Sequence, residues 1–183
     1  MKKLKVLVAA LLSVTVVLGT TVPSQAAMSS DVNIEIKQTT MDGVSVTVPT
    51  MIPIVFNADG TNTLPTNWTI ENLSTIAGIY ISHIEMDAND SGWTLLGQSE
   101  NVKDVIAGLK KIKFYVGDES DLKLVEPLEG TESEKGRAIF GRDVFQIKSG
   151  ETRVLSFDVE RGAFRQNEAS AKAFGMELFF DFR

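Results

Sequence analysis

The chain of 183 residues contains no cysteine and only one histidine. The first absence excludes disulfides, thiolate metal sites, cysteine nucleophiles and lipid attachment through cysteine. The second means that a Ser-His-Asp triad or a histidine-based zinc site would depend on His83 alone. His83 lies within a predicted strand and no nucleophile-elbow motif accompanies it, which favours a structural role. We therefore predict a protein without catalytic residues or cofactors, and not an enzyme.

Positive charge is also scarce. Eighteen Lys and Arg stand against 24 Asp and Glu, which gives a net charge of −6 at pH 7. Three of the lysines lie in the first five residues, so a chain that begins near Ala27 carries 15 basic and 24 acidic residues, a net charge of −9. An acidic chain lacks the basic surface that nucleic acids and anionic lipids require. We expect no nucleic-acid partner and, once the N-terminal segment is removed, no membrane partner.

The longest apolar run lies at the N-terminus. Lysines precede a nearly unbroken apolar stretch over residues 6–18, and the small residues Ser24 and Ala26 follow at the spacing that a signal peptidase reads. The run is shorter than the ~20 residues of a membrane-spanning helix, although an uncleaved anchor stays open as an alternative. We predict a signal peptide over residues 1–26 and a single domain over 27–183. The mature protein would be secreted and extracellular, with association to the cell surface left open.

Beyond the N-terminus, period-two alternation of apolar and polar residues dominates. Turn signals such as Asp42-Gly43 and Ser149-Gly150 separate the alternating segments. We predict about nine to eleven short strands and hence an all-β fold, an antiparallel β-sandwich of the jelly-roll or immunoglobulin-like type. The predicted strands cover residues 32–36, 44–48, 54–56, 68–70, 76–86, 93–96, 112–116, 122–125, 144–147, 155–159 and 176–182.

Few segments have any other character. The apolar residues of 102–109 sit at helical spacing, and Asn167 is a candidate cap for a short turn that runs through Ala173. We therefore expect one or two short helical turns. The polar and charged segment 126–138 is predicted to be a long exposed loop.

Two prolines bracket a short gap in the stretch VPTMIPIVFNADG, residues 48–60. Pro49 and Pro53 have no backbone donor, so each should lie at a strand end or a sheet edge. A chain that turns between them can switch from one sheet of a sandwich to the other. We interpret this stretch as a corner of the fold and not as a catalytic loop.

The segment VSVTVPTMIPIVFNADGTN, followed by NWTIENLSTIAGIYISHIEMDANDSGWTLL, resembles a group of uncharacterised secreted β-sandwich proteins of clostridia (Firmicutes). In that group a VTVPTxxPxxxxADG opening leads to an I-x-N-x-S strand and then to a GW strand. The likeness covers residues 44–96 and implies no activity that could be transferred. More distantly, the chain is similar to camelysin and TasA-type surface proteins, through an I-x-N strand and a late strand pair like RVLSFDV and AFGMELFFDF. The TasA type builds extracellular fibres.

The turn DANDSG, residues 87–92, has oxygen-bearing side chains at its first, third and fifth positions and then a glycine. That order is typical of a calcium-binding loop. The twelfth position, however, is Gln98, where such a loop has a bidentate Glu, and a hairpin turn explains the same residues. Whether the protein has a metal site is therefore left unknown.

The aromatic residues Trp68, Trp93, Tyr80 and Tyr115 are candidates for a platform on which a sugar ring could stack. Each tryptophan lies within an alternating strand, so packing in the core is the favoured interpretation. Carboxylate pairs for glycoside hydrolysis cannot be singled out among 24 acids. A hydrolase is the least supported function.

The strand at Val32–Ile36 directly follows the predicted cleavage site. A free N-terminal strand can pair with the sheet edge of a neighbouring subunit, and such head-to-tail contacts produce open filaments. The alternative is that the strand pairs within its own sandwich. We expect a non-enzymatic structural or adhesive protein of the cell surface that self-associates through this strand. The alternative function is a carbohydrate-binding module, calcium-assisted or not, with a cell-wall or host glycan as its partner.

Overall fold

A computed structural model describes residues 30–39, 45–57, 59–75, 77–89, 91–129, 133–162 and 171–182. The predicted signal peptide lies outside these residues. The described chain is nearly all strand, which confirms the all-β class. Its fifteen strands are β1 (Ser30–Thr39), β2 (Val46–Thr47), β3 (Met51–Phe56), β4 (Asn62–Thr63), β5 (Thr69–Asn72), β6 (Ile79–Asp87), β7 (Thr94–Leu95), β8 (Lys111–Asp118), β9 (Asp121–Leu124), β10 (Glu126–Pro127), β11 (Lys135–Ile139), β12 (Gln146–Ile147), β13 (Thr152–Val154), β14 (Ser156–Arg161) and β15 (Ala171–Phe182).

The strands form three sheets. The largest has the order β10-β11-β6-β15-β1-β3-β4, with β12 also paired to β6. The second is β13-β5-β2, and the third is β14-β8-β7 with β9 also paired to β8. Antiparallel pairing prevails as predicted, and two pairs, β1–β15 and β7–β8, are parallel. None of the described residues forms a helix long and apolar enough to cross a membrane.

The apolar faces of the sheets meet in a common core. In β3, Ile52, Ile54 and Phe56 are buried while the residues between them are at least partly exposed, which is the pattern of a strand with one face inward. Trp93 and Phe114 are among the largest fully buried side chains. Apolar packing of this kind supplies most of the stabilisation of a sandwich that has no disulfide.

The proline stretch is the corner that the sequence predicts. Pro49 lies between β2 of the second sheet and β3 of the largest sheet, so the chain changes sheets there. The amide of Ile36 donates to the carbonyl of Thr50. Because hydrogen-bonded pairs alternate along an antiparallel ladder, the nitrogen of Pro53 points away from β1. The missing donor of Pro53 is tolerated because β4 pairs only with the last two residues of β3.

The predicted loop over 126–138 is wrong, because its described part contains β10 and β11. The second of these strands pairs along β6 inside the largest sheet. Its inward residues are Gly136 and Ala138, both buried. A larger residue would not fit at position 136, because Leu95 and Val125 occupy the space in front of Gly136. A strand whose buried residues are glycine and alanine shows no hydrophobic alternation, which explains the error.

We expect the substitution Gly136→Ala to lower the free energy of unfolding by about 1–3 kcal/mol, because overpacking strains a core. An added Cβ would lie 2.4 Å from Cδ1 of Leu95 and 2.9 Å from the backbone oxygen of Glu126. The leucine could rotate away, but the backbone of β10 could not. Urea denaturation would measure the change. Gly141→Ala is the matched control, since its Cβ would come no closer than 3.4 Å to Val144, and equal effects of the two substitutions would contradict the explanation.

The helical character predicted for residues 102–109 is limited to one 3-10 turn, Val102–Asp104. The side chain of Asn101 caps this turn, and the chain is extended again at Val105. Gly108 then has a φ of +94°, which ends any helical continuation. The second predicted helical turn runs from Asn167 through Ala173. Its last residues are wrong, because residues 171–173 belong to β15, and its start at Asn167 lies outside the described residues.

Candidate functional site

The four central strands of the largest sheet, β11, β6, β15 and β1, share one solvent-facing side, which we call the outer face. Cross-strand ion pairs lie along it, at Lys135–Asp87, Arg137–Glu85 and Lys172–Glu35. The side chains of these pairs are between a third and about half exposed. Exposed pairs contribute only ~0–1 kcal/mol each. Their main effect is on register, because each pair fixes one strand against its neighbour.

A β-bulge in β6 brings two polar side chains together on the outer face. Phe179 pairs with His83 and Phe180 pairs with Ile81, so Ser82 is the extra residue of the bulge. The imidazole of His83 stacks on the ring of Phe179, with centroids 4.1 Å apart and 10° between the planes. Oγ of Ser82 lies 3.1 Å from Nδ1 of His83 and donates to the carbonyl of Phe179. The single histidine is thus part of a packed cluster.

The surroundings of His83 favour the neutral imidazole. Burial lowers the pKa of His83 below 6.5, and the positive charge of Arg137 lowers it further, against the opposing effects of Glu85 and Glu177. Nε2 of His83 is 3.9 Å from the carboxylate of Glu85, too far for a hydrogen bond. The hydroxyl of Ser82 also has a backbone partner, the carbonyl of Phe179 at 3.1 Å. The three side chains therefore do not have the geometry of a serine-hydrolase triad.

We expect the imidazole signal of His83 to titrate below pH 6.5 in the NMR spectrum, where a single histidine gives an unambiguous resonance. The pKa of His83 is lower in the folded state than in the unfolded state, where it is about 6.5. The contribution of neutral His83 to the free energy of unfolding is therefore fully present above pH 6.5 and is lost as the pH falls below that value. The substitution Arg137→Gln removes a cation and should raise the pKa of His83. Lys103→Gln, on the 3-10 turn, should leave it unchanged. A pKa that does not respond to Arg137→Gln would contradict this account.

The turn after β6 is held together by hydrogen bonds. The carboxylate of Asp87 accepts the amide of Asn89 at 2.8 Å and pairs with Lys135 at 2.9 Å. Burial disfavours the charge of Asp87, but these two partners outweigh it and keep its pKa below 3.8. Oγ of Ser91 donates to the carbonyl of Ala173 at 2.6 Å. Among the described residues, no three His, Asp or Glu side chains come together as a metal site would require.

The tryptophans of the predicted sugar platform lie in the core. Trp68 is 3% exposed and Trp93 is 1% exposed. Trp68 packs edge-on against Phe157 at 5.5 Å, and Trp93 lies 6.0 Å from the ring of Phe56. A platform built from Trp68 and Trp93 is therefore wrong, and the favoured interpretation, packing in the core, is confirmed. The predicted strands that contained the tryptophans begin one residue later, at β5 and β7, but both side chains still face inward.

The tyrosines of that platform are partly exposed, and their hydroxyls are engaged. The hydroxyl of Tyr80 donates to Asp181 at 3.0 Å, and that of Tyr115 donates to Glu160 at 2.7 Å. Burial and the carboxylate of Glu160 raise the pKa of Tyr115 to about 12. The two residues lie on different sheets, so they do not form a common surface.

Comparisons of the chain with protein-family models, with curated proteins and with solved structures found no match. The I-x-N-x-S motif, quoted above for its family resemblance, has a structural explanation. Asn72 is fully buried, and its Nδ2 donates to the carbonyls of Ala77 and Ile147 at 3.0 and 3.1 Å. Its Oδ1 accepts the amide of Ser74 at 3.0 Å. The motif thus joins β5 to β12 and to the segment that enters β6.

The N-terminal strand lies inside the largest sheet. β1 pairs in parallel with β15 on one side and antiparallel with β3 on the other. Ile34 is fully buried and Ile36 is 6% exposed, so both belong to the core. Glu35, between them, faces outward and pairs with Lys172. Without β1, the facing edges of β3 and β15 would be unpaired and the core would be open along the gap between them.

Proposed function

We propose that this protein is a secreted, non-enzymatic structural protein of the cell surface whose subunits assemble into filaments by strand addition, with β1 as the donated strand. The observation that carries the proposal is the position of β1. It is the first strand of the described chain, yet its partners are β3 and β15. A strand that is joined to the fold at one end and paired on both sides can be supplied by the same chain or by a neighbouring one.

The energetics favour occupation of the gap between β3 and β15 by some copy of β1. Unpaired strand edges leave backbone donors and acceptors without partners, and buried groups of this kind are costly. The two isoleucine sites add a hydrophobic driving force. Exchange between subunits reproduces the same contacts, so it costs little energy within the fold. Each subunit that donates β1 forward and accepts one from behind extends an open chain of subunits.

The reach of the donated strand is limited by its connection to the rest of the fold. Thr39 ends β1 and Val46 begins β2, seven residue steps later. When extended, these steps span at most about 24 Å. Subunits linked by exchange must therefore be in direct contact, which predicts a filament with close axial packing and not beads on a flexible string.

A first experiment compares residues 27–183 with the same chain started at Thr40, by size-exclusion chromatography and negative-stain electron microscopy. We expect polymers from the longer chain and none from the shorter one. A peptide of residues 27–39 should bind the shorter chain and raise its melting temperature. Monomers from the longer chain at every concentration would overturn the filament proposal, even if the shorter chain fails to fold.

A second experiment detects the exchange of β1 between subunits through a disulfide. The chain has no cysteine of its own, so two introduced cysteines can pair only with each other. Glu35 and Met51 are both exposed and face each other at a non-hydrogen-bonded position, where side chains are closest. Under oxidation, the double variant Glu35→Cys, Met51→Cys should form disulfides between chains if β1 is donated. The polymer would then give a covalent ladder on a non-reducing gel. Only monomers on that gel would show that β1 stays in its own chain.

The control is a disulfide between two strands that do not include β1, so exchange of β1 cannot turn it into a link between chains. Glu71 of β5 and Thr152 of β13 are exposed and occupy a non-hydrogen-bonded pair in the second sheet. The variant Glu71→Cys, Thr152→Cys should form disulfides only within a chain, whether or not the protein polymerises. A ladder from this control would mean that oxidation links subunits through chance contacts.

The carbohydrate-binding alternative loses its tryptophans, and the candidate aromatic residues that remain are the two tyrosines, which lie on different sheets. Tyr80 carries the guanidinium of Arg142 at 6.0 Å from its ring, and its hydroxyl is bonded to Asp181. A glycan array on residues 27–183 tests this alternative directly. Binding that disappears on Tyr80→Ala would favour it over the filament proposal, provided that the protein does not polymerise.

A further inference from the structure

An exposed aliphatic turn lies between the 3-10 turn and β8. Ile106 is 72% exposed and Leu109 is 46% exposed, and these are the first and last residues of the turn. The amide of Leu109 donates to the carbonyl of Ile106 at 3.1 Å, and Gly108 supplies the positive φ of +94°. A surface turn usually carries polar residues. This one holds two large aliphatic side chains in water on an ordered backbone.

The segment around this turn is richer in lysine than the rest of the protein. Residues 103–113 contain four lysines and one aspartate, in a chain whose net charge is −6. Lys113 is buried and donates to the carbonyl of Gln98, which leaves Lys103, Lys110 and Lys111 beside the turn. Acids also lie beside this segment, namely Glu100, Asp104 and Glu126, and the carboxylates of Glu100 and Glu126 accept the amides of Gly97 and Gln98.

The turn lies at the end of the sandwich where the chain enters β1. Gly162, which follows β14, is so close to Val105 that a Cβ on the glycine would lie 2.6 Å from that of the valine. The preceding residue, Arg161, holds its guanidinium 5.0 Å from the ring of Phe56. Phe56 pairs with Ser30, the first residue of β1. The described part of β1 therefore begins at the same end of the fold as the aliphatic turn.

We propose that this end of the protein binds the surface of an anionic lipid membrane. Ile106 and Leu109 enter the interface between headgroups and acyl chains, while the three lysines contact anionic headgroups. The two aliphatic side chains favour a bilayer over a polyanionic glycan, which would have no use for them. The acidic charge of the whole chain, from which no membrane partner was expected, does not describe this local surface. Membrane binding does not require strand addition. A filament, however, would bring many copies of this turn to the membrane and so raise the overall affinity.

A fluorescent label tests insertion. Residues 27–183 contain every described strand, and the chain has no cysteine of its own, so Ile106→Cys provides a single site for an environment-sensitive dye. With vesicles of equal parts phosphatidylglycerol and phosphatidylcholine, we expect a blue shift and a rise in emission. Ile139→Cys is the matched control, because Ile139 is 70% exposed but lies on β11 in another sheet. No response of the label at position 106, or equal responses at both positions, would overturn the proposal.

Vesicle co-sedimentation of unlabelled variants separates the two contributions to binding. The double variant Ile106→Ser, Leu109→Ser should reduce the partition coefficient about tenfold, from loss of buried apolar area. Replacing Lys103, Lys110 or Lys111 by Gln should reduce it about fivefold for each lysine. Ile139→Ser should leave it unchanged, and circular dichroism will show whether each variant is folded. Absence of binding by the unaltered protein, or binding that survives the double serine variant, would refute membrane insertion.

Discussion

Replacing Asn72 by alanine should lower the free energy of unfolding by about 3–5 kcal/mol, because a buried polar group that loses its partner costs about 1–3 kcal/mol. The carbonyls of Ala77 and Ile147 and the amide of Ser74 would all be left without the bonds that the amide side chain makes with them. Asn72 is fully buried, so water cannot replace its bonds to Ile147 and Ser74 without rearrangement. Urea denaturation of residues 27–183 gives the measurement.

Two further variants sharpen this test. Asn101→Ala removes an exposed asparagine that caps the 3-10 turn, and it should cost about 1 kcal/mol or less. Asn72→Asp preserves the shape but directs a carboxylate at two carbonyl oxygens. Its loss of stability should shrink as the pH falls, since the protonated acid can again donate one hydrogen bond. If Asn72→Ala lowers the free energy of unfolding no more than Asn101→Ala does, the hydrogen bonds of Asn72 do not stabilise the junction of β5 with β12 and β6.

The second large effect concerns β1, the strand that we propose to be donated. The substitution Ile34→Asp should cost at least about 4 kcal/mol, because a fully buried site would receive an unpaired charge. We expect the variant to be unfolded or strongly destabilised as an isolated chain. The same change in the peptide of residues 27–39 should abolish its binding to the chain that starts at Thr40. Thermal denaturation of the Ile34→Asp chain measures the loss of stability. Thermal denaturation of the chain that starts at Thr40, with each peptide added, measures peptide binding.

Glu35→Gln is the control for Ile34→Asp, on the neighbouring residue of the same strand. Glu35 faces outward, and its pairing with Lys172 is about half exposed, so its loss should change stability by less than about 1 kcal/mol. A peptide with Glu35→Gln should still bind. Binding by the Ile34→Asp peptide would mean that the gap between β3 and β15 does not recognise β1 through its buried side chains.

Much of the fold follows from alternation in the sequence, because a period of two assigns each residue to the inside or the outside. Leu155, Phe157 and Val159 are buried as the pattern requires, and so are both tryptophans. The change of sheet at Pro49 also follows from local chemistry, since proline restricts where a ladder can continue. These features depend on a few neighbouring residues, which a single sequence contains.

The remaining features depend on what lies opposite in space. The burial of β11 depends on Gly136, which is small because Leu95 stands in front of it. The role of Asn72 depends on carbonyls five and 75 residues away, and the sequence does not show which groups will bond a polar side chain on the inward face of a strand. The cluster at His83 depends on a bulge that moves Ser82 to the same face. No local pattern contains this information.

The pairing of β1 with β15 also bears on the order of folding. These strands stand at opposite ends of the described chain, and yet they are neighbours in the middle of the largest sheet. Contacts between residues so far apart in sequence form slowly, because a long loop must close first. During synthesis, β1 and β3 emerge early, and the edge of β1 that faces β15 stays unpaired until β15 is available. We therefore expect the centre of the sheet to form last, and this interval would allow the capture of β1 by another chain that we propose.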